Sequence, residues 1–291
     1  MKIKKLSLLQ NCNSENIFND PFPHVIIDNA LPNDIYDELI GTVPNDLIID
    51  KEADNKRGNI YQEQLKNNTK YKLWSEFLSY NNSKKFLEEF TNIFREKINL
   101  IYPGLLQDIE KSQTDNNNKN VKNDLSLLSC YSYNTPVITP SAVRGVHLDY
   151  FNKLYVGLYY MRPEDDLTKG GDLIIYKWKK NYDLSAKKKI LYTEKFKYLE
   201  RHTEEFKKVE YKKNTLFLGL NTIDSLHGIT VREKTNEIRQ FCYFTSHLNY
   251  ELVQVRPSLF EKLSYNNISI FGKLKIIIYE LKLLIEKIYK K

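Results

Sequence analysis

The run Leu154-Tyr155-Val156-Gly157-Leu158-Tyr159-Tyr160-Met161 is short, almost wholly apolar and rich in aromatic side chains, the texture of a strand buried on both faces. The same texture recurs on either side of it. Leu127–Tyr133, Ala142–Asp149, Asp172–Trp178, Lys189–Lys197, Thr215–Leu220, Leu226–Val231 and Ile238–Thr245 are all read as strands, with Gly, Asn or Pro between them. About eight strands in succession between Leu125 and Leu248 predict an antiparallel barrel or jelly roll. There is no alternation of strands with helical patterns, no GxGxxG and no P-loop, which excludes a nucleotide-binding parallel sheet.

The flanks read differently. Pro21 to Asp28 predicts a short strand, followed by a turn at Asn29–Pro32 and a helix to about Thr42 capped by Asn33 or Asp34. Residues 45–70 are polar and read as irregular. A helix is predicted from Ser83, with Phe86, Phe90, Ile93, Phe94, Ile98 and Ile101 at helical spacing and a stop at Pro103-Gly104. The Asn/Lys-rich stretch from Asp115 to Asn123 reads as a surface loop. From Ile268 to Lys291 the chain predicts an amphipathic helix whose apolar face runs through Leu274, Ile277, Ile278, Leu281, Leu284, Ile285 and Ile288. That face suits packing on the barrel, a homodimer contact or a basic helix on a membrane surface. The organisation expected is an N-terminal strand–helix region (1–123), a barrel core (124–248) and a C-terminal extension (249–291), together one compact domain.

The 291-residue chain has 41% hydrophobic and 28% charged residues, which excludes disordered and fibrous classes. Its formal charge of +7 is spread along the sequence rather than gathered on a recognition motif, so no nucleic-acid partner is expected. Three cysteines, Cys12, Cys130 and Cys242, stand far apart without a CxxC pair. This predicts neither a disulfide framework nor a thiolate zinc site, and a cytoplasmic setting. The apolar run after Lys4 and Lys5 is too short for a signal peptide, and no run is long enough for a transmembrane span.

The chemistry lies in His147-Leu148-Asp149 and in Ser225-Leu226-His227-Gly228. Residues two apart on a strand point to one face, so the His147 imidazole and the Asp149 carboxylate converge. With His227 they supply two imidazoles and one carboxylate, the facial triad that holds non-heme Fe(II) and leaves the opposite metal face open. Downstream, Arg239 enters the apolar-aromatic strand Ile238–Phe244. A guanidinium there is costly unless an anion pairs with it, and the far carboxylate of a metal-chelating 2-oxo acid would serve. Arg232 is the competing anchor. His24, His202 and His247 read as structural or surface residues. Arg144 faces opposite His147 by alternation and reads as a substrate-side or surface residue.

At these residues the sequence resembles the 2-oxoglutarate/Fe(II)-dependent oxygenases, in particular their prolyl-4-hydroxylase-like branch. The resemblance runs through Pro21-Phe22-Pro23-His24-Val25 with Leu31-Pro32, Cys130–Tyr133, His147-x-Asp149, Leu158-Tyr159-Tyr160 and Gly170-Gly171-Asp172-Leu173. It continues through Asn214–Phe217, Asn221 and Ser225–Gly228 to Arg239.

The resemblance implies a double-stranded β-helix core of the jelly-roll or cupin type, with flanking N-terminal helices and a C-terminal helix. It implies His147, Asp149 and His227 as iron ligands and Arg239 as the partner of the 2-oxoglutarate carboxylate. Tyr131 and Tyr160 would contact the cosubstrate, and Gly170 and Gly171 would form a turn. The expected cofactors are Fe(II) and 2-oxoglutarate, with ascorbate as a further one. The expected activity is hydroxylation of a small-molecule or peptide substrate. Two features depart from compact members: a longer stretch at 179–208, and residues 45–123, which carry no family motif and are a place for substrate recognition. The alternatives are a non-catalytic barrel that binds or senses a small molecule, and a scaffold acting through the C-terminal helix.

Overall fold

The computed structural model describes residues 6–112, 114–115, 124–193, 199–255, 263 and 269–289. Two antiparallel sheets face one another. The larger contains β1 (Ile17–Phe18), β2 (His24–Asp28), β3 (Arg57–Tyr61), β5 (Leu125–Asn134), β6 (Lys153–Tyr160), β9 (Thr215–Leu220) and β11 (Arg239–Leu248), in the order β1-β2-β9-β6-β11-β5-β3. A two-residue strand, β4 (Thr114–Asp115), lies parallel to β5. The smaller sheet has the order β10-β7-β8, from β10 (His227–Ile229), β7 (Leu173–Trp178) and β8 (Thr203–Val209). Non-sequential neighbours in two facing sheets make the jelly-roll arrangement expected from the strand succession.

Why the strands are apolar on both sides follows from what covers them. Tyr131 and Tyr133 of β5, Tyr155 and Tyr159 of β6, and Cys242 and Phe244 of β11 share one face of the larger sheet. They pack on Ile35 and Leu39 of α1 (Asn33–Gly41), Trp74, Phe77 and Leu78 of α3 (Lys72–Asn81), and Phe86 and Phe90 of α4 (Lys84–Ile93). The alternate residues Leu158, Tyr160, Phe217 and Phe241 face inward and meet Leu173, Ile175 and Val209 of the smaller sheet. With helices on one side and a second sheet on the other, no face of β6 is wet, and all eight of its residues are buried.

Several expectations are corrected at the flanks. The helix begins at Ser83 as predicted, and the Ser83 hydroxyl caps it by accepting from the Phe86 amide at 3.3 Å. It breaks at Phe94, however, and resumes as α5 (Arg95–Ile101), then α6 (Leu105–Lys111). Helix α1 starts on Pro32, whose carbonyl accepts from Ile35 and Tyr36, and neither Asn33 nor Asp34 caps it. Residues 45–70 contain β3 and α2 (Gln62–Leu65) rather than only irregular chain.

The expected strand Lys189–Lys197 is instead α7 (Leu184–Thr193) as far as it is described, since Ala, Lys and Leu favour helix and Asp183 Oδ1 accepts the Ala186 amide at 2.7 Å. The expected strand Ala142–Asp149 has one isolated bridge, His147 to His227, with a second, Ser141 to Arg232, just before it. Its partner β10 is three residues long and offers no longer ladder. Residues 116–123 of the expected loop lie outside the described residues. Helix α8 (Ile270–Tyr289) forms where predicted, but Ile270, Phe271, Leu274 and Leu281 are exposed and none joins a core cluster. No helix among the described residues is long and apolar enough to cross a membrane.

Candidate metal centre

The backbone brings the two histidines together. The His147 amide donates to the His227 carbonyl at 2.9 Å and the His227 amide to the His147 carbonyl at 3.0 Å. As directly paired residues they project to the same side, with ring centroids 4.3 Å apart. Leu148 projects the other way into a cluster with Val146 and Leu226, so burial of one leucine fixes the direction of the His147 and Asp149 side chains beside it. Asn221 and Ser225 set the turn that delivers His227. The Asn221 amide donates to the Tyr150 and Lys153 carbonyls, and its oxygen accepts from the Ser225 hydroxyl.

Each imidazole is held in one tautomer. His147 Nδ1 lies 2.8 Å from the Gly145 carbonyl and His227 Nδ1 lies 2.9 Å from the Ser225 carbonyl, so both Nδ1 atoms donate. Both Nε2 lone pairs are therefore free for a metal, the outer hydrogen bond orienting the ligand. Asp149 Oδ2 is 3.3 Å from His227 Nε2, and one ligand atom from each of the three residues falls within a 4.8 Å group. Among the described residues this is the one His/Cys/Asp/Glu group that could hold a metal ion. The residue types suit Fe(II): two neutral nitrogens and one hard oxygen leave further positions open.

Burial and proximity set the charge states. Burial, reinforced by the neighbouring His227, draws the His147 pKa down to about 3. Burial alone would raise the Asp149 pKa, but His227, Lys153 and His147 together hold it well below the usual carboxylate range. The site therefore presents a neutral His147 imidazole and an ionised Asp149 carboxylate, the forms that ligate.

The triad opens into a cavity of about 420 Å³ whose opposite end is closed by Arg239. Arg239 Nε donates to the Gly171 carbonyl at 3.0 Å and Nη1 to Asn134 Oδ1 at 3.2 Å. Its Nη2 is buried without a partner, as are Asn134 Nδ2 and the Tyr160 hydroxyl beside it. Orphaned donors around a buried cation call for an anionic acceptor. Gly170 and Gly171 make the turn expected of them, at φ +80° and +82°; a Cβ on Gly171 would sit 3.0 Å from Arg239 Nε. The glycine pair lets the backbone touch the guanidinium.

Arg232, the competing anchor, is a strut. Its Nη1 donates to Asn55 Oδ1 and the Thr135 carbonyl and its Nη2 to the Glu237 carbonyl, and it does not line the cavity. Tyr131 requires a correction. The pleat of β5 turns Leu128, Cys130 and Asn134 to the cavity and Tyr131 to the helices, where it meets Trp74 edge-on at 5.2 Å. Tyr160 does face inward, its ring 5.0 Å from the Arg239 guanidinium, with burial pushing its phenol up to about 12. His24, His202 and His247 stay outside the site, as expected.

Three contributors were not read from sequence. Lys153 is buried, with Nζ 2.9 Å from Asp149 Oδ1 and hydrogen-bonded to the Tyr243 hydroxyl. The signal was available: a lysine heading an otherwise apolar buried run needs a partner. Arg57 and Asn59 of β3 also line the cavity, and no motif announced them.

No family model matches the chain, and no curated protein matches it. Solved structures do. A Pseudomonas putida prolyl-4-hydroxylase is 11% identical over 77% of this chain and 92% of its own, with a TM-score of 0.40. A Phytophthora capsici prolyl 4-hydroxylase is 12% identical over 87% and 68%, with a TM-score of 0.41. A Trichoplax adhaerens prolyl hydroxylase, solved with a hypoxia inducible factor peptide fragment, is 8% identical over 79% and 85%, with a TM-score of 0.39.

Proposed function

We propose that the chain is an Fe(II)- and 2-oxoglutarate-dependent dioxygenase that hydroxylates a C–H bond of its substrate. One observation carries this reading. Two Nε2 atoms and one carboxylate oxygen converge at one end of a cavity, and an arginine with an unpartnered Nη2 closes the other. A protein that merely binds a small molecule, or a scaffold working through α8, needs neither feature.

Iron and 2-oxoglutarate, when bound, supply a two-electron oxidation in which O₂ gives one oxygen atom to the substrate and one to succinate, with release of CO₂. The chain's own groups do the rest. His147, Asp149 and His227 would hold the metal, and a set of three ligands leaves coordination positions for cosubstrate and O₂. Arg239, fixed by the Gly171 carbonyl and Asn134, orients the far carboxylate of the cosubstrate as a fork. Val156, Leu158, Ile229 and Phe241 line the cavity with apolar surface that excludes water from the reacting centre.

The test is succinate release from 2-oxoglutarate under Fe(II), read with and without a substrate panel, alongside Fe(II) or Mn(II) binding. Wild type is expected to bind one ion and to release succinate. Asp149→Ala should abolish turnover and weaken metal binding by more than about 100-fold, beyond the 10–100-fold loss typical of an outer partner. Undiminished turnover in Asp149→Ala would overturn the assignment.

A further inference from the structure

The cavity carries more positive charge than a ferrous site and a dicarboxylate use. Besides Arg239 and the Asp149-bound Lys153, it is lined by Arg57 and Arg144, both exposed at its outer side. The Arg57 guanidinium stacks 4.7 Å from the Tyr243 ring centroid and 5.2 Å from that of Phe241. Its Nη2 donates to the Ser132 hydroxyl at 3.3 Å and its Nε to Asn59 Oδ1 at 3.4 Å. The fork is thus oriented by neutral groups and rings, with no charge cancelled.

Arg144 stands three residues before His147, on the segment bridged to β10. Among the described residues no carboxylate comes within ion-pair distance of either arginine. The contrast is local: Lys56, next to Arg57 in the chain, is paired with Asp50. Asp149 is the one carboxylate lining the cavity, and it faces His227 and Lys153.

We propose that Arg57 and Arg144 form an anion clamp at the mouth of the cavity, and that the substrate carries a carboxylate or phosphate on an apolar body. This rests on the dioxygenase reading for the chemistry, but not for the clamp itself. Two guanidiniums on separate segments can each meet an oxyanion, Arg57 already held flat for it. Val143, Val156 and Ile229 line the same cavity and offer apolar wall to the body of the substrate.

The experiment is calorimetric titration of hexanoate, hexyl phosphate and neutral hexanamide. Two backgrounds are used: wild type loaded with Mn(II) and 2-oxoglutarate under nitrogen, and metal-free Arg239→Gln, which lacks the guanidinium at the deep end. The anions are expected to bind in both and hexanamide in neither. Hexanoate binding tighter than hexyl phosphate assigns a carboxylate substrate, and the reverse order a phosphate.

Arg57→Gln and Arg144→Gln should each raise the Kd at least tenfold, Arg57→Lys should recover part of the loss, and the surface control Lys56→Gln should match the parent. Circular dichroism identifies any variant that fails to fold, in which case Arg57→Lys and Arg144→Lys carry the comparison. Equal binding of hexanamide, or anion affinity unchanged in the arginine variants, overturns the clamp. Failure of the metal reading shows separately, as Mn(II) binding that Asp149→Ala does not alter, while the metal-free titrations still decide the clamp.

Discussion

Lys153 Nζ lies 2.9 Å from Asp149 Oδ1 with both side chains buried, while Asp149 Oδ2 points at His227 Nε2. The two oxygens of one carboxylate are thus divided between an ammonium and the metal position. The pairing directs the carboxylate to offer a single oxygen, which keeps coordination positions open. It also supplies a permanent counter-charge in the absence of an ion.

Replacing Lys153 by Met therefore strands a buried carboxylate. Metal-free Lys153→Met is expected to lose about 3 kcal/mol or more of stability, the usual cost of breaking a buried pair from one side. A bound divalent ion takes over part of the lost positive charge, so added Mn(II) should raise the Tm of the variant more than that of wild type. Thermal unfolding with and without Mn(II) measures this, and equal increments would contradict it.

The two arginines after His227 should separate cleanly. Arg239→Gln removes the cation facing the orphaned end of the cavity and is expected to weaken 2-oxoglutarate binding about 100-fold, within the 2–5 kcal/mol range for a buried charged partner. Arg232→Gln removes hydrogen bonds to Asn55, Thr135 and Glu237 and should lower stability by about 2 kcal/mol while cosubstrate affinity holds. Titration of 2-oxoglutarate into Mn(II)-loaded protein, paired with urea unfolding, distinguishes the roles.

Tyr131→Phe tests the face assignment of β5. The hydroxyl is buried without a hydrogen-bond partner, and the ring packs on Trp74 away from the cavity. The variant should unfold within about 1 kcal/mol of wild type, toward greater stability, and bind 2-oxoglutarate equally well. A clear loss of cosubstrate affinity would return Tyr131 to the site.

Acid stability should depend on His24. The residue is fully buried; its Nδ1 donates to the Phe22 carbonyl at 2.8 Å and its ring stacks on Phe18 at 5.2 Å. Burial draws its pKa from 6.5 down to about 4, so between those values the unfolded chain binds the proton that the folded chain refuses. Stability is then expected to fall as pH drops from 6.5 toward 4, by up to about 3 kcal/mol from this group alone. His247, also drawn to about 4, acts in the same direction. In metal-free protein, His24→Phe should flatten the profile by the His24 share; an unchanged slope would show that the load lies elsewhere.

What could be read in advance followed from local periodicity. β9 forms at its predicted bounds, and β6 and β11 lie within a few residues of theirs, because strands buried on both sides write continuous apolar runs. The group of His147, Asp149 and His227 that the structure brings together was legible because His147 and Asp149 sit two apart and His227 lies beside a glycine. Lys153 and Arg57 were not, since their meaning depends on which side chains arrive opposite them from distant segments. Tyr131 failed for a related reason: in a strand apolar on both faces, alternation cannot say which face meets the cavity and which the helices. The stretch around Lys189 carries helix formers as well as apolar residues, and the local Asp183 cap decides for helix.

His147 and Asp149 stand on a strip of chain with no strand of its own, fastened to β10 by the His147–His227 pair and by the Ile229 amide donating to the Arg144 carbonyl. An ion shared with His227 would rivet that strip to the smaller sheet. Occupancy then becomes readable as resistance to nicking: limited proteolysis around residues 138–146 should be slow in metal-loaded protein and fast after chelation, which gives a gauge of loading that needs no knowledge of the substrate.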